Sequence, residues 1–236
     1  MSVLDEDKDV VMLTYSRGNC QKTNFAIQDR VDAKHGRELP ENRTTEKFYK
    51  GDRCCFDKPI ELYTIKFNKN YAELDVSLGI TLYNGEIFDI LDTENVKIKT
   101  PLNKFNNIAK LFNGQILTIK RINDNIYSSS YRVIHIPEDV INETRKIIRR
   151  QTRRDFYIAL MSNYVKIYPK LDYGYCITVY KSQGSEWRNV FIHMSSIKWC
   201  IAGSNNNIEF KKKKALFKAT YTALTRASHN IWLFWF

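Results

Sequence analysis

The chain has 236 residues, long enough for one large domain or two small ones and for a real buried core. Its 43% hydrophobic content excludes wholesale disorder, and 37 Lys plus Arg against 26 Asp plus Glu leave a net charge of +11. A folded basic protein of this kind points to an acidic partner, nucleic acid above all, with a lysine-rich solvated surface as the alternative.

In chain order, the apolar run Asp9 to Tyr15 (DVVMLTY) predicts a strand, and a helix follows with Cys20, Asn24, Ile27 and Val31 on one face and Gly36 as its stop. From Gly51 to about Pro137 the pattern changes to short alternating runs at Glu61 to Phe67, Glu86 to Leu91, Val96 to Thr100, Gln115 to Ile122 and Tyr131 to Ile136. Asn84-Gly85 and Asn113-Gly114 read as turns, and Asp92 as a turn residue, so this block is expected to be a small antiparallel β module. Pro137-Glu138-Asp139 then opens a helical stretch to about Tyr168 with a basic exposed side.

Beyond it come an apolar run at Tyr173 to Tyr180, a polar loop, a strand at Asn189 to Met194, a loop, a helix from about Lys214 to Ala227 and a last strand at Asn230 to Phe236. Continuous apolar strands alternating with helices predict an α/β fold, a parallel sheet covered on both faces. The expected organisation is one such domain from residues 1–50 and 169–236, a β-rich insert at 51–136 and a basic helical connector at 137–168.

The chemistry concentrates in Ile177 to Trp187 (ITVYKSQGSEW), where an apolar strand runs into a dense polar loop at the carboxyl end of a sheet strand, the usual place for ligands. Thr178, Lys181, Ser182 and Gln183 carry groups suited to a phosphate backbone, Gly184 lets the main chain approach closely, and Glu186 can accept from a ribose hydroxyl. The second segment is Tyr221 to Ala227 (YTALTRA). Its Arg226 is either a solvated arginine at a helix end or a guanidinium aimed at a transferring phosphoryl group.

In that order and spacing, ITVYKSQGSEW and YTALTRA resemble motifs V and VI of superfamily 1 helicases, most of all the RecD/Dda-like branch, superfamily 1B. VMLTYSRGNCQKTNFAIQDR resembles the same family's motif IV through Tyr15, Asn24 and Arg30, while GDRCCFDK and LYNGEIF look like its stretch between motifs IV and V. Tyr180 stands where the family commonly has His, and Arg17 where Asn is usual. The resemblance implies a second RecA-like domain carrying an SH3-like insert. It also implies an arginine finger at Arg226, a nucleotide side at Gly184 and Glu186 with Tyr15 and Arg17 near it, and a single-stranded DNA side at Thr178, Tyr180, Lys181, Ser182 and Gln183. Tyr180 reads equally as a base-stacking and as a core tyrosine.

The sequence holds no G-x-x-x-x-G-K-[ST] phosphate cradle; none of its nine glycines precedes a lysine. The chain is therefore expected to bind ATP and Mg²⁺ only jointly with an amino-terminal helicase half that supplies the P-loop, and to be inactive by itself. The alternative is a non-enzymatic module, derived from a helicase half, that binds single-stranded nucleic acid or a partner such as a replication protein. Arg145, Lys146, Arg149, Arg150, Arg153, Arg154 and Lys211 to Lys214 either extend the DNA track or are solvated faces. Trp232, Phe234, Trp235 and Phe236 are either strand core or a face covered by the other half. Five cysteines, odd in number and without a C-x-x-C pair, read as buried thiols in a reducing compartment with no metal site. Neither a signal peptide nor a bilayer-spanning segment is expected, so the protein is expected inside the cell.

Overall fold

A computed structural model describes residues 9–38, 47–99, 111–122, 129–137, 140–142, 146, 149, 170–202 and 209–235. The fold is α/β, built around a four-stranded sheet in the order β11-β10-β1-β9, formed by Val10–Thr14 (β1), Cys176–Thr178 (β9), Trp187–His193 (β10) and Ala227–Phe234 (β11). Every pairing in this sheet is parallel, as the continuous apolar strands predict. Among the described residues three helices belong to it: α1 (Arg17–Lys34), α2 (Met194–Ala202) and α3 (Glu209–Leu224).

The strand register sorts the side chains. Val11 and Leu13 align with Val190 and Ile192, and this face closes over Ile197 of α2 and Ala219 and Ala223 of α3 in one buried cluster. On the other face Met12 aligns with Phe191 and Phe191 with Trp232; Phe191 stacks on Trp232 at 4.5 Å and on Phe234 at 5.6 Å. Trp232 and Phe234 are thus half-buried, Trp235 is 62% exposed, and Phe236 lies outside the described residues.

Helix α1 begins where Ser16 accepts a hydrogen bond from the Asn19 amide at 3.1 Å and ends before Gly36, whose φ of +64° suits glycine. Its fully buried stripe is Asn24, Gln28 and Asp32; of the face read from the sequence, Asn24 belongs to this stripe, while Ile27 and Val31, half-buried, pack with Phe25 on the antiparallel core. The reason is the sheet edge. The outward N–H and C=O of Cys176 have no neighbouring strand, and the Asn24 amide serves as one: Cys176 N donates to Oδ1 at 2.7 Å and Nδ2 donates to Cys176 O at 2.9 Å.

The middle of the chain forms a second sheet in the order β3-β4-β5-β2-β8, with β6 beside β5 and β7 beside β6. Its strands are Arg53–Phe56 (β2), Ile60–Asn68 (β3), Tyr71–Leu82 (β4), Ile87–Lys99 (β5), Leu111–Arg121 (β6), Tyr131–His135 (β7) and Leu171–Tyr173 (β8). Except for one parallel bridge between β4 and β5, the pairings are antiparallel, as expected of this block. Several details differ from the sequence reading. Strands β2 and β4 are additional, and β5 unites two runs that were read separately. Asp92 sits at a register shift inside β5, and Asn113-Gly114 lies within β6 instead of turning the chain. A Cβ on Gly114 would stand 2.2 Å from Cδ1 of Ile98 and 2.7 Å from the His135 carbonyl, so glycine there answers to a close approach.

The expected strand Tyr173 to Tyr180 is two strands in two sheets. β8 pairs with β2, then Gly174 donates to the Arg53 carbonyl at 2.9 Å, and one residue later Tyr175 O accepts from Met12 N at 3.0 Å. Met194–Ala202, read as loop, is helix α2, and the last helix ends at Leu224, which leaves Arg226 in the turn before β11. Most of the connector expected at 137–168 lies outside the described residues, Arg145, Arg150, Arg153 and Arg154 included; Lys146 and Arg149 are described and exposed. No described helix is long and apolar enough to cross a membrane.

Candidate functional site

The loop after β9, residues 179–186, is wound by its own bonds. Ser182 N donates to Thr178 O at 3.1 Å, Lys181 N to Thr178 Oγ1 at 3.3 Å and Ser185 N to Ser182 O at 3.1 Å. Gly184, at φ +89°, turns the chain back toward β10. The winding divides the residues singled out in the sequence into two sets. Tyr180, Gln183, Gly184 and Glu186 are exposed, whereas Thr178 and Ser182 are buried and Lys181 is largely covered.

The inward set fixes the loop. Ser182 Oγ donates to Val179 O at 2.7 Å. Lys181 Nζ lies 3.3 Å from Asp57 Oδ1 and 3.7 Å from Asp172 Oδ2, carboxylates that follow β2 and sit in β8. Burial pulls the Lys181 pKa down, but the charges of Cys55, Asp172 and Asp57 outweigh it, so the ammonium is held above its ordinary value. The antiparallel sheet also touches the loop directly: Gly85, at φ +93° in the turn between β4 and β5, leaves no room for a Cβ, which would fall 2.1 Å from the Lys181 carbonyl oxygen. Neither contact was legible in sequence, since Asp57 and Gly85 are far from position 181 and Asp172, though nearer, carries no spacing signal.

The second segment meets the first at its far end. Trp187 N donates to Arg226 O at 2.9 Å as β10 and β11 begin, and Arg226 Nη1 donates to Ser185 O at 3.1 Å. Arg226 Nε donates to Thr222 O at 3.2 Å and Nη2 to Thr225 Oγ1 at 3.1 Å. A guanidinium has five N–H donors, so these bonds aim the half-buried group and leave donors for an oxyanion beside the loop. The guanidinium thus fits one side of a phosphate group, while the sequence carries no G-x-x-x-x-G-K-[ST] motif to cradle the rest of it.

Tyr15 stands across the loop from this end. Its hydroxyl lies 3.1 Å from that of Tyr180, the rings meet edge to face at 5.6 Å, and its amide donates to Ser196 Oγ at 3.0 Å. Arg17 projects into solvent, 83% exposed, with Nη2 4.0 Å from Asp57 Oδ1. Arg30 is exposed on α1. Behind the loop is a cavity of about 170 Å³, lined among others by Cys20, Asn24, Asp57, Asp172, Thr178 and Lys181. Among the described residues no group of three His, Cys, Asp or Glu side chains is arranged to hold a metal ion.

No protein-family model matches the chain. A curated relative, uncharacterized protein R530 of Acanthamoeba polyphaga mimivirus, is 26% identical over 228 residues, covering 88% of this chain and 41% of its own length. Among solved structures the chain is similar to a Pif1 helicase from Candida albicans, with a TM-score of 0.42, 13% identity, and coverage of 98% of this chain and 46% of that one. It is also similar to a Pif1 helicase from Bacteroides in complex with ADP-AlF3 and ssDNA, with a TM-score of 0.37, 14% identity, and coverage of 98% and 41%. The chain spans less than half the length of each of these proteins.

Proposed function

We propose that this chain works as the carboxyl-terminal motor domain of an ATP-dependent DNA helicase, a second RecA-like domain with an SH3-like accessory module in its antiparallel part. One observation carries the reading: the hydrogen bond from Arg226 Nη1 to Ser185 O joins the two helicase-like motifs, far apart in sequence, into one site where β10 and β11 begin. Arg226 acts as the arginine finger, with Gly184 and Glu186 on the nucleotide side; Tyr15, which meets Tyr180, and Arg17 follow the carboxyl end of β1, at the opposite end of the sheet from Arg226. ATP and Mg²⁺ are held jointly with an amino-terminal half that supplies the P-loop. The finger's task is electrostatic: a guanidinium already aimed by Thr222, Thr225 and Ser185 meets the charge that develops on a transferring phosphoryl group without reorganising.

Single-stranded DNA is the track. Tyr180 and Gln183 meet it first, because both are exposed, the ring offering a stacking surface and the amide a phosphate donor. Thr178, Lys181 and Ser182 form the floor beneath, and Lys181 reaches DNA only by leaving Asp57 and Asp172. The chain alone is expected to bind a fluorescent single-stranded oligonucleotide, with affinity falling as salt rises, and to hydrolyse ATP at background rate. Replacing Tyr180 and Gln183 together by Ala is expected to weaken binding on the order of tenfold, within the stacking and hydrogen-bond range. Unchanged affinity in that double variant removes the loop from the track. Helicase-level turnover by the isolated chain contradicts the missing-cradle reading.

The second reading is a non-enzymatic module that uses the same exposed loop to bind single-stranded nucleic acid. The inward pairing of Lys181 favours it, since the loop's own ion pairs with Asp57 and Asp172 hold it in one shape. Strand binding that persists while no P-loop partner restores ATP turnover would select it.

A further inference from the structure

The cavity behind the loop contains thiols that the helicase reading leaves unused. Cys20 lies in the first turns of α1, half-buried, whereas Cys54, Cys55 and Cys176 are buried. Its Sγ donates to Cys176 O at 2.9 Å and accepts from Asn24 Nδ2 at 3.7 Å, which sets the Cys20 sulfur against Cys176. Cys20 and Cys176 also share the wall of the 170 Å³ cavity, which leaves space for a small reagent beside Cys20. Cys176 itself is 0% exposed, so external chemistry meets it through Cys20.

We propose that Cys20 and Cys176 form a peroxide-responsive pair, in which a hydroperoxide oxidises Cys20 and Cys176 resolves it to a disulfide joining α1 to β9 beneath the loop. The Cys20 thiolate attacks the distal peroxide oxygen. The O–O bond breaks, the alkoxide or hydroxide leaves with a proton as alcohol or water, and Cys20 becomes a sulfenic acid. Cys176 then attacks that sulfur, the S–S bond forms, and hydroxide leaves with the Cys176 proton as water. The two sulfurs together lose two electrons and the peroxide gains them.

The surroundings divide the roles. The hydrogen bond from Cys176 holds the Cys20 thiol below its ordinary value of 9.0, against burial and Asp172 and aided by Lys181 and Thr14, and the start of a helix favours a thiolate in the same way. Burial pushes Cys176 well above 9.0, which suits a resolving thiol that reacts only after its partner is activated. This chemistry stands whether or not the helicase reading does.

The test uses the full 236-residue chain, reduced and then treated with hydrogen peroxide. Peptide mapping is expected to find a Cys20–Cys176 cross-link that dithiothreitol reverses. Dimedone present during oxidation is expected to trap Cys20 as the sulfenic acid in the wild-type chain, which needs no core substitution, and to trap more of it in Cys176→Ala. Iodoacetamide is expected to label Cys20 on the order of tenfold faster than Cys54 in the folded chain, at a midpoint pH below that of the denatured chain. A cross-link that pairs Cys20 with Cys54, Cys55 or Cys200, a dimedone adduct elsewhere with none on Cys20, or equal labelling of Cys20 and Cys54 overturns the proposal.

Discussion

The two edges of the parallel sheet are finished in opposite ways. At β9 the outward backbone groups of Cys176 are taken up by Asn24, and the next residues back along the chain already belong to a second sheet. At β11 the strand ends the sheet, and Ile231, Leu233 and, just past it, Trp235 stay exposed at 41%, 49% and 62%. The loop with the candidate chemistry grows from the closed edge. A loop that must present Tyr180 and Gln183 in a fixed geometry needs a base that does not fray, and side-chain-to-backbone bonds provide one where a neighbouring strand would cover the site.

If that contrast is right, substitutions at the closed edge cost far more stability than those at the open one. The largest effect is expected for Asn24→Leu, which leaves the buried Cys176 N–H without a partner and its C=O with the Cys20 thiol alone, about 4 kcal/mol in chemical denaturation if the orphaned N–H costs about 3 and the lost bond to the C=O about 1. A loss under about 1 kcal/mol would mean that water or a backbone shift replaces the amide. Gly174→Val comes next, at about 3 kcal/mol, because its Cβ would stand 2.9 Å from Ile87 Cγ2 and 3.0 Å from the Cys54 carbonyl group. Gly85→Ala is expected to cost about 2 kcal/mol, from a strained positive φ and the contact with the Lys181 carbonyl, and to speed hydrogen exchange in residues 179–186 selectively. Leu233→Ser, at the open edge, should change thermal stability by less than about 0.5 kcal/mol.

The sequence made the parallel sheet legible wherever a strand is a continuous apolar run, as in β1, β10 and β11, and it located the 179–186 loop from its dense polar residues. It was less informative where structure depends on distant backbone. The stripe of Asn24, Gln28 and Asp32 leaves no mark in a search for apolar periodicity, because its partners are Cys176 and Asp52, reached only in three dimensions. Asn113-Gly114 has the composition of a turn, yet Gly114 is glycine because Ile98 and His135 crowd it. Helix α2 is short and includes Ser195 and Ser196, so its composition resembles a loop, although Ser196 Oγ donates to His193 O at 2.7 Å and accepts from Tyr15 N. In the site, residue types alone made Lys181 and Ser182 equivalent to Gln183; the carboxylates of Asp57 and Asp172 and the Val179 carbonyl turn the first two inward.

The central claim, that Arg226 completes a nucleotide site shared with a P-loop half, is tested most directly by DNA-stimulated ATP hydrolysis. This chain, joined with a P-loop-bearing RecA-like partner, is to be compared with its Arg226→Ala variant. The expected result is a fall in turnover on the order of 10³-fold or more, with oligonucleotide binding kept and stability lowered by no more than about 1 kcal/mol, the scale of its lost hydrogen bonds. Turnover unchanged in a folded Arg226→Ala variant would contradict the account.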